Sequence, residues 1–148
     1  MTAESAITAL LYRYARAVDT KDWELYRSVF TDDAVIDYSS NGIPAGSRDD
    51  IADFLSQAFT AIPMSMHYIT NIEIDVGSGG QERSDPGNGL TETAAVRAMF
   101  YNPMQLPGMA ELSYCGGYYH HEVVRSADGW RSRSMREENV WFVNKPGG

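Results

Sequence analysis

Four side chains in this sequence have the types and spacing needed for acid–base chemistry on a small molecule. Tyr14, Asp19 and Tyr38 fall in one continuous stretch near the N-terminus, and His67 lies in a second, MHYITN. A carboxylate that accepts a hydrogen bond from one imidazole nitrogen fixes the tautomer and leaves the other nitrogen free as a base. A phenol can donate a hydrogen bond to a substrate carbonyl or hydroxyl. We therefore interpret Asp19 and His67 as a candidate dyad, with Tyr14 and Tyr38 as candidate donors.

Each of these residues also has a purely structural explanation. Asp19 precedes a short second helix and could cap it, and Asn would then replace it with little effect. A lone His is more often a satisfied core or surface residue than a catalytic one. A buried Tyr hydroxyl needs a hydrogen-bond partner whatever its function. The residue types alone leave both interpretations open.

The elements that must position these residues follow from hydrophobic periodicity. Apolar residues recur at helical spacing over residues 4–18, so Tyr14 lies in the apolar stripe and Asp19 at the end of the helix. A short second helix follows. The segment AVIDY then alternates with period two, which places Tyr38 on the inward face of a strand.

A third helix is predicted to begin after Ser47, with Asp50 completing a variant of the capping box, and to end at Pro63. The period then changes to two, and we predict strands at about residues 64–76, 90–101, 110–125 and 130–136. Strict alternation puts His67 opposite the apparently buried face of the first of these strands. Either that second face is also covered, or a bulge near Thr70 shifts the register.

Three helices followed by hairpin-linked strands predict a single α+β domain over residues 1–148, with a curved antiparallel sheet around three N-terminal helices. Such a sheet can leave a cavity against the helices. Residues 79–89 are rich in Gly, Ser, Asp and Pro and are predicted to form a mobile loop. Residues 138–148 are interpreted as a C-terminal tail that could close the cavity.

The walls of this cavity are expected to be aromatic and apolar. We expect substrate contacts from the following residues: Trp23, Phe54, Met66, Tyr114, Tyr118, His120 and Arg136. Tyr114, Tyr118 and His120 alternate along one strand, which is typical either of a pocket wall or of an aromatic ladder on the outer surface. Arg136 could bind an anionic leaving group or carboxylate, or could be a surface charge.

Composition and charge exclude several classes of function. A net charge of −8 argues against binding to nucleic acid or to an anionic membrane surface. The single cysteine excludes an internal disulfide and favours a reducing compartment, and no stretch approaches the roughly 18 apolar residues that span a bilayer. The N-terminus has no export signal, so a cytoplasmic location is expected. Motifs for nucleotide, hydride or serine chemistry and metal-type spacings are missing, so we expect no cofactor and no metal.

Three segments taken in order resemble the SnoaL-like branch of the nuclear transport factor 2 (NTF2-like) superfamily. They read YARAVDTKDWELYRSVFTDDAVIDY, HYITN and GGYYHHEVVRSADGWR. The resemblance covers nearly the whole chain and implies a cone, in which a curved sheet wraps around three helices and a pocket opens at one end. It is strongest to cofactor-free eliminating enzymes, namely the scytalone dehydratases, hexachlorocyclohexane dehydrochlorinases and bile-acid dehydratases. It implies that Asp19 and His67 form the dyad of such enzymes and that Tyr14 and Tyr38 are the supporting phenols.

The sequence departs from these enzymes at two places. The second catalytic histidine of the scytalone dehydratases falls near Val96, where this chain has none, and the arginine of the dehydrochlorinases falls near Met135. The resemblance extends to polyketide cyclases, isomerases, epoxide hydrolases and the non-catalytic small subunits of ring-hydroxylating dioxygenases. Function must therefore be argued from the site.

Our interpretation is a cofactor-independent lyase, resembling a dehydratase, that acts on a small hydrophobic, polycyclic or aromatic molecule. A polyketide cyclase or isomerase using the same pocket is the alternative within enzymes, and a non-catalytic subunit is the alternative outside them. A sheet of this type leaves one broad face uncovered by its own helices. We therefore also predict a homodimer or homotrimer.

Overall fold

A computed structural model describes residues 1–77 and 92–147, and the loop predicted at residues 79–89 lies outside the described residues. The helices and strands of the described residues follow one another in this order: α1 Ala3–Asp19, α2 Trp23–Val29, β1 Phe30–Asp37, β2 Gly46–Ser47, α3 Arg48–Ala58, β3 Met64–Ser65, β4 Tyr68–Val76, β5 Glu92–Gln105, β6 Ser113–Ser126 and β7 Gly129–Val143. A 3-10 turn at Ser39–Asn41 follows β1, and another at Phe59–Ala61 follows α3.

Short polar side chains set the beginnings of the helices. Asp22 Oδ1 accepts a hydrogen bond from the Leu25 N–H at 3.0 Å and so caps α2. Ser47 caps α3 by accepting from the Asp50 N–H at 3.2 Å, as predicted. Because Asp22 is the cap of α2, the structural explanation offered for Asp19 is wrong. Asp19 is the last residue of α1, and its carboxylate is free for another partner.

The strands form one curved, unclosed sheet in the order β2-β1-β7-β6-β5-β3, with β4 also paired to β5. Neighbouring strands are antiparallel except β1 and β7, which run parallel. The sheet is therefore mixed, whereas the sequence was interpreted as purely antiparallel. A tight hairpin forces antiparallel pairing, but β1 meets β7 only after a long connection and is free of that constraint.

The last strand is longer than the sequence predicted. The prediction ended it at residue 136, but β7 continues to Val143. The predicted start of the C-terminal tail at residue 138 is therefore wrong, and of the described residues in that tail only 144–147 lie outside the sheet. The segment NVWFV is rich in β-branched and aromatic residues, which fit a pleated, half-buried surface.

A bulge in β4 decides which side chains face the helices. The register of β4 against β5 shifts between Thr70 and Glu73, and Asn71 there has a φ of +50°. The extra residue reverses the alternation, so Ile69 before it and Ile72 after it both pack against the core. This confirms the bulge alternative of the sequence analysis.

The core lies between the concave face of the sheet and the apolar faces of the helices. Its most deeply buried side chains come from both layers and include Ile7, Leu10, Tyr26, Phe30, Ile36, Tyr119, Val123 and Met135. The inward face of β1 is the predicted one, since Ile36 is fully buried and Val35 is 56% exposed. None of the helices in the described ranges is long and apolar enough to cross a membrane.

Candidate active site

The sheet and the helices enclose a cavity of about 290 Å³. This volume lies at the lower end of small-molecule sites, which span roughly 300–1,000 Å³. Most of the wall is apolar and includes Val18, Leu55, Phe59, Met104, Leu106 and Phe142. A few polar side chains converge on the same space, among them Tyr14, Tyr38, His67, Tyr119 and Glu137. An apolar cavity with a few convergent polar groups is the usual form of a site for a small organic molecule.

Asp19 and His67 are in direct contact at the edge of this cavity. His67 Nδ1 lies 2.6 Å from Asp19 Oδ1, and the His67 backbone N–H donates to Asp19 Oδ2 at 2.8 Å. The His67 side chain is 7% exposed and that of Asp19 is 21% exposed. Since an ionised carboxylate can only accept, Nδ1 carries the ring proton and Nε2 is left unprotonated. The structure therefore brings the predicted pair together in the geometry that a histidine base needs.

The backbone around His67 is held from the sheet side by Asn102. Asn102 Nδ2 donates to the Met66 carbonyl at 2.9 Å and to Ser65 Oγ at 3.0 Å. The Met66 N–H in turn donates to the Pro103 carbonyl at 3.0 Å. Contacts with β5 thus fix the backbone around His67, and the contact with Asp19 of α1 fixes its imidazole ring.

Tyr14, Tyr26 and Tyr38 form a chain of buried phenols. The Tyr38 hydroxyl lies 2.7 Å from that of Tyr14 and 2.9 Å from that of Tyr26. Burial raises the pKa of all three phenols well above its ordinary value, so they remain protonated. Tyr26 is fully buried away from the cavity, so its proton goes to Tyr38. Among these three phenols, three protons serve two hydrogen bonds. One proton on Tyr14 or Tyr38 is therefore left for another acceptor, either a ligand or the nearby Tyr119 hydroxyl.

Tyr119 is a cavity residue that the sequence analysis missed. It lies on β6, is 1% exposed and lines the cavity. In the described part of the chain its hydroxyl makes no hydrogen bond of ordinary geometry, although it is close enough to Tyr14 for each phenol to affect the pKa of the other. A buried polar atom without a partner is rare in proteins and suits a ligand oxygen.

Tyr114, Tyr118 and His120 do not line the cavity, contrary to one of the two interpretations of their alternation. Tyr114 stacks on Tyr101 with ring centroids 6.2 Å apart, and His120 Nε2 lies 2.8 Å from Glu138 Oε1. These contacts are on the outer face of the sheet, so the aromatic ladder is the correct interpretation. Alternation shows that residues share a face, but the packing of the helices decides which face is inward.

The other four expected contact residues also lie off the cavity wall. Trp23 packs behind it, with its ring centroid 5.5 Å from that of Phe59. Phe54 and Met66 are 46% and 48% exposed, and Arg136 is exposed on β7. In each of these last three cases the next residue along the chain lines the cavity instead, namely Leu55, His67 and Glu137.

Glu137 is the second cavity residue that the sequence analysis missed. It is 6% exposed, and its Oε1 accepts from Asn41 Nδ2 at 2.5 Å and from Ser40 Oγ at 3.4 Å. Burial raises the pKa of Glu137 to about 7, although these two hydrogen bonds act in the opposite direction. The sequence signal was available, since Met135 is on the inward face and residue 137 follows it with period two.

A metal site has no support among the described residues. No group of three or more His, Cys, Asp or Glu side chains within residues 1–77 and 92–147 is placed to hold a metal ion. His120 faces outward, whereas His121 is buried with Nδ1 2.9 Å from Ser132 Oγ. The two neighbouring histidines therefore point to opposite faces, as strand geometry requires.

Comparison with known families agrees with this architecture. Residues 1–136 match the family model described as the SnoaL-like domain, and the chain belongs to that family. Uncharacterized proteins of Mycobacterium bovis and Mycobacterium tuberculosis are 32% identical to it over 126 residues, which cover 84% of this chain and 77% of theirs. The superfamily predicted from the three sequence segments is confirmed.

Solved structures share the fold over nearly the whole chain. The Kfla4162 protein of Kribbella flavida is 28% identical, with a TM-score of 0.77 over 96% of this chain and 93% of its own. A candidate scytalone dehydratase of Novosphingobium aromaticivorans is 18% identical, with a TM-score of 0.77 over 96% of this chain and 87% of its own. A hexachlorocyclohexane dehydrochlorinase is 17% identical, with a TM-score of 0.76 over 98% of this chain and 90% of its own. At these identities the last two likenesses establish the fold alone.

Proposed function

We propose that the protein is a cofactor-independent lyase that eliminates water from a small hydrophobic molecule, with the Asp19–His67 pair as its base. The observation that carries this proposal is the double contact of Asp19 with the ring and the backbone of His67. It leaves His67 Nε2 as the unprotonated nitrogen beside an apolar cavity. The fold is shared with a candidate scytalone dehydratase and a hexachlorocyclohexane dehydrochlorinase, whose names describe elimination reactions.

The elimination begins with removal of a proton from a carbon next to a carbonyl group. His67 Nε2 takes the proton, and the electron pair of the C–H bond moves into an enolate. The free phenol proton of Tyr14 or Tyr38 donates a hydrogen bond to the enolate oxygen, where charge develops. The enolate then re-forms the carbonyl, and its electron pair forms the carbon–carbon double bond. The C–O bond at the β carbon breaks with its electron pair on oxygen, which takes up one proton and leaves as water.

The substrate that fits is small and mostly apolar. The wall is formed by aliphatic, Met and Phe side chains, and the polar groups converge at one part of the cavity. An aromatic or polycyclic β-hydroxy ketone combines an apolar body with the carbonyl and hydroxyl that the mechanism needs. Hydroxylated polyketide-like ketones are the substrate class that we propose.

The test uses the aldol adduct of benzaldehyde and acetone, whose dehydration gives a strongly absorbing enone, together with a panel of cyclic β-hydroxy ketones. We expect His67→Gln to lower the rate by about 10²–10⁴-fold, which is the usual contribution of a positioned general base. His120→Gln, on the outer face, is the matched control and should retain its rate. Full turnover by folded His67→Gln would refute the dyad.

A cyclase or isomerase is the second candidate. The three-phenol chain supports it, because phenols that stabilise an enolate serve these reactions as well as an elimination. Mass spectrometry separates the candidates, since elimination lowers the product mass by one water and isomerisation leaves it unchanged. The non-catalytic alternative required a filled cavity with Asp19 and His67 apart, and both the cavity and the 2.6 Å contact count against it.

We also propose that the protein forms a homodimer or homotrimer through the outer face of its sheet. Tyr68, Tyr101 and Trp141 are 40–48% exposed there, and the ring of Tyr101 lies within 6.2 Å of those of Tyr68, Tyr114 and Trp141. An exposed apolar patch of this kind is typical of an interaction surface. Sedimentation at micromolar concentration should show an oligomer that Tyr101→Glu dissociates. A wild-type monomer would contradict the proposal.

The cytoplasmic location stays a prediction from the sequence.

A further inference from the structure

Glu137 is a buried carboxyl group in the cavity that the mechanism above does not use. It lies in β7 and lines the same cavity as His67. Its Oε1 accepts hydrogen bonds from Asn41 and Ser40. Within the described residues no hydrogen bond reaches Oε2. The two oxygens are therefore unequal, and Oε2 is the one left for a proton or a ligand.

The hydrogen bonds that orient Glu137 are themselves fixed. Asn139 Nδ2 donates to Asn41 Oδ1 at 3.0 Å, so the amide of Asn41 must turn its own Nδ2 toward Glu137. The Asn139 N–H donates to Ser40 Oγ at 3.0 Å, and the single Ser40 hydroxyl proton is shared between the Glu137 carbonyl at 3.0 Å and Glu137 Oε1 at 3.4 Å. Hydrogen bonds between the 3-10 turn after β1 and the strand β7 thus fix the orientation of this one carboxyl group. Such pre-organisation is typical of a side chain that must meet a ligand at a fixed position.

The surroundings of Glu137 favour its protonated form. Burial raises its pKa to about 7, with a smaller contribution from the negative charge of Asp37. No salt bridge among the described residues involves Glu137, and the neighbouring Arg136 lies on the exposed side of β7. The titratable groups that share the cavity with it are Tyr14 of α1, Tyr38 after β1, His67 before β4, Cys115 and Tyr119 of β6 and Lys145 after β7. Lys145 is exposed, so its charge is screened by water.

We propose that Glu137 is the acid of the reaction: its Oε2 donates the proton to the hydroxyl that leaves from the substrate. This assignment rests on the proposed elimination and deepens it. The substrate is then a β-hydroxy carbonyl compound whose acidic carbon lies at His67 and whose hydroxyl lies at Glu137. Hydroxide is a poor leaving group, and an acid beside it is the chemical need that a buried, protonated carboxyl meets.

One proton leaves the substrate at its α carbon, and one proton joins the oxygen that leaves from its β carbon. His67 Nε2 takes the proton of the α carbon, and that electron pair becomes the carbon–carbon double bond. The C–O bond breaks with its electron pair on oxygen, and the Glu137 proton joins that oxygen to form water. The products are the enone, water, a protonated His67 and an ionised Glu137. Transfer of one proton from His67 to Glu137, directly or through water, restores the starting state.

The closing experiment varies the leaving group. The aldol adduct of benzaldehyde and acetone loses hydroxide, whereas its β-chloro analogue loses chloride, which needs no proton. We expect Glu137→Gln to lower the rate on the hydroxy compound by about 10²–10⁴-fold and to leave the rate on the chloro compound, corrected for spontaneous loss, within a few-fold. His67→Gln should lower both rates. Glu138→Gln, the adjacent outward residue, is the matched control and should lower neither.

Other outcomes of this experiment separate the two proposals. Equal losses of Glu137→Gln on both compounds, or no loss on the hydroxy compound, overturn the role of Glu137 while the base stands. A wild-type protein that eliminates from neither compound overturns the proposed function and this inference with it.

A second variant keeps the inference testable if Glu137→Gln fails to fold. Asn41→Ala removes a hydrogen bond that stabilises the ionised carboxylate, so the pKa of Glu137 should rise further. The wild-type rate on the hydroxy compound should fall as the pH rises through about 7, and in Asn41→Ala this fall should move to higher pH. Carbon NMR of the labelled glutamate carboxyl should follow the same titration. A Glu137 carboxyl that is ionised throughout pH 5–9 would overturn the inference.

Discussion

At the scale of single residues, the two oxygens of Asp19 decide which nitrogen of His67 is basic. Oδ2 faces a backbone N–H, which can only donate, and Oδ1 faces the ring Nδ1. In Asp19→Asn the amide oxygen must take the backbone N–H, so the amide NH₂ faces Nδ1. Nδ1 then has to accept, and the ring proton moves to Nε2.

We therefore expect Asp19→Asn to keep the fold and to lower the elimination rate by about 10²–10⁴-fold, because the histidine is held in the wrong tautomer. The aldol adduct assay measures the rate, and circular dichroism checks the fold. Asp22→Asn is the control, since Asn caps a helix as well as Asp does. If the two variants had equal activity, the orienting role of Asp19 would be wrong.

Tyr38 joins two other buried phenols, so its loss should affect stability more than the loss of either partner. In Tyr38→Phe the hydroxyls of Tyr14 and Tyr26 both lose their hydrogen bond to it. We expect a cost of about 1–3 kcal/mol in the free energy of unfolding, and a smaller cost for Tyr26→Phe, which leaves the Tyr14–Tyr38 bond intact. Urea denaturation compares the two variants. A larger loss in Tyr26→Phe would contradict this account of the phenol chain.

At the scale of elements, the bulge in β4 lets His67 and the apolar residues of the strand face the same side. Asn71 adopts a φ of +50°, which a β-branched residue adopts only under strain. Asn71→Val should cost about 1–2 kcal/mol of stability, whereas Asn71→Gly should be nearly neutral, because Gly accepts positive φ readily. Thermal unfolding at neutral pH measures both. Equal stabilities for Val and Gly would show that the bulge is not what sets the conformation of this segment.

At the scale of the whole molecule, two buried titratable groups act in opposite directions on stability. Burial raises the pKa of Glu137 from 4.5 to about 7, so in that window the folded state binds more protons and stability falls as pH rises. Burial, with a smaller effect of His120, lowers the pKa of His121 from 6.5 to about 4, so there the unfolded state binds more protons and stability rises with pH. Between about pH 4.5 and 6.5 both effects are present, and their opposite contributions to the pH dependence of the free energy of unfolding largely cancel.

Glu137→Gln should remove this cancellation. We expect the variant to gain stability as pH rises from about 4 to 6.5, and to exceed the wild type by up to about 3 kcal/mol at pH 8, where the wild type must bury an ionised carboxylate. Urea denaturation over this pH range measures the slopes. Glu138→Gln, at an exposed position, should follow the wild-type curve. Parallel curves for Glu137→Gln and the wild type would show that Glu137 is not buried as an acid.

The features of this protein that depend on local spacing could be predicted from the amino-acid sequence. Helical periodicity predicted α1 and α3, the Ser47 cap predicted the start of α3, and the alternation of AVIDY predicted the inward position of Tyr38. The residue types of Asp19 and His67 made them candidates for a pair, the family resemblance favoured that pairing, and three ordered segments were enough to identify the family. The helices and the alternation of the strand follow from contacts within a few residues along the chain, which a sequence displays directly.

The inward face of each strand and the contacts between distant residues depend instead on how the helices and the sheet pack together. Period two shows that Tyr114, Tyr118 and His120 share a face, but the helices packed on the other side of the sheet made it the outer one. Glu137 becomes an acid because the fold buries it and brings Asn41 to it from 96 residues away along the chain. Period two could place Glu137 on the same face as Met135, but its contact with Asn41 and its raised pKa are properties of the packed molecule that no local pattern specifies.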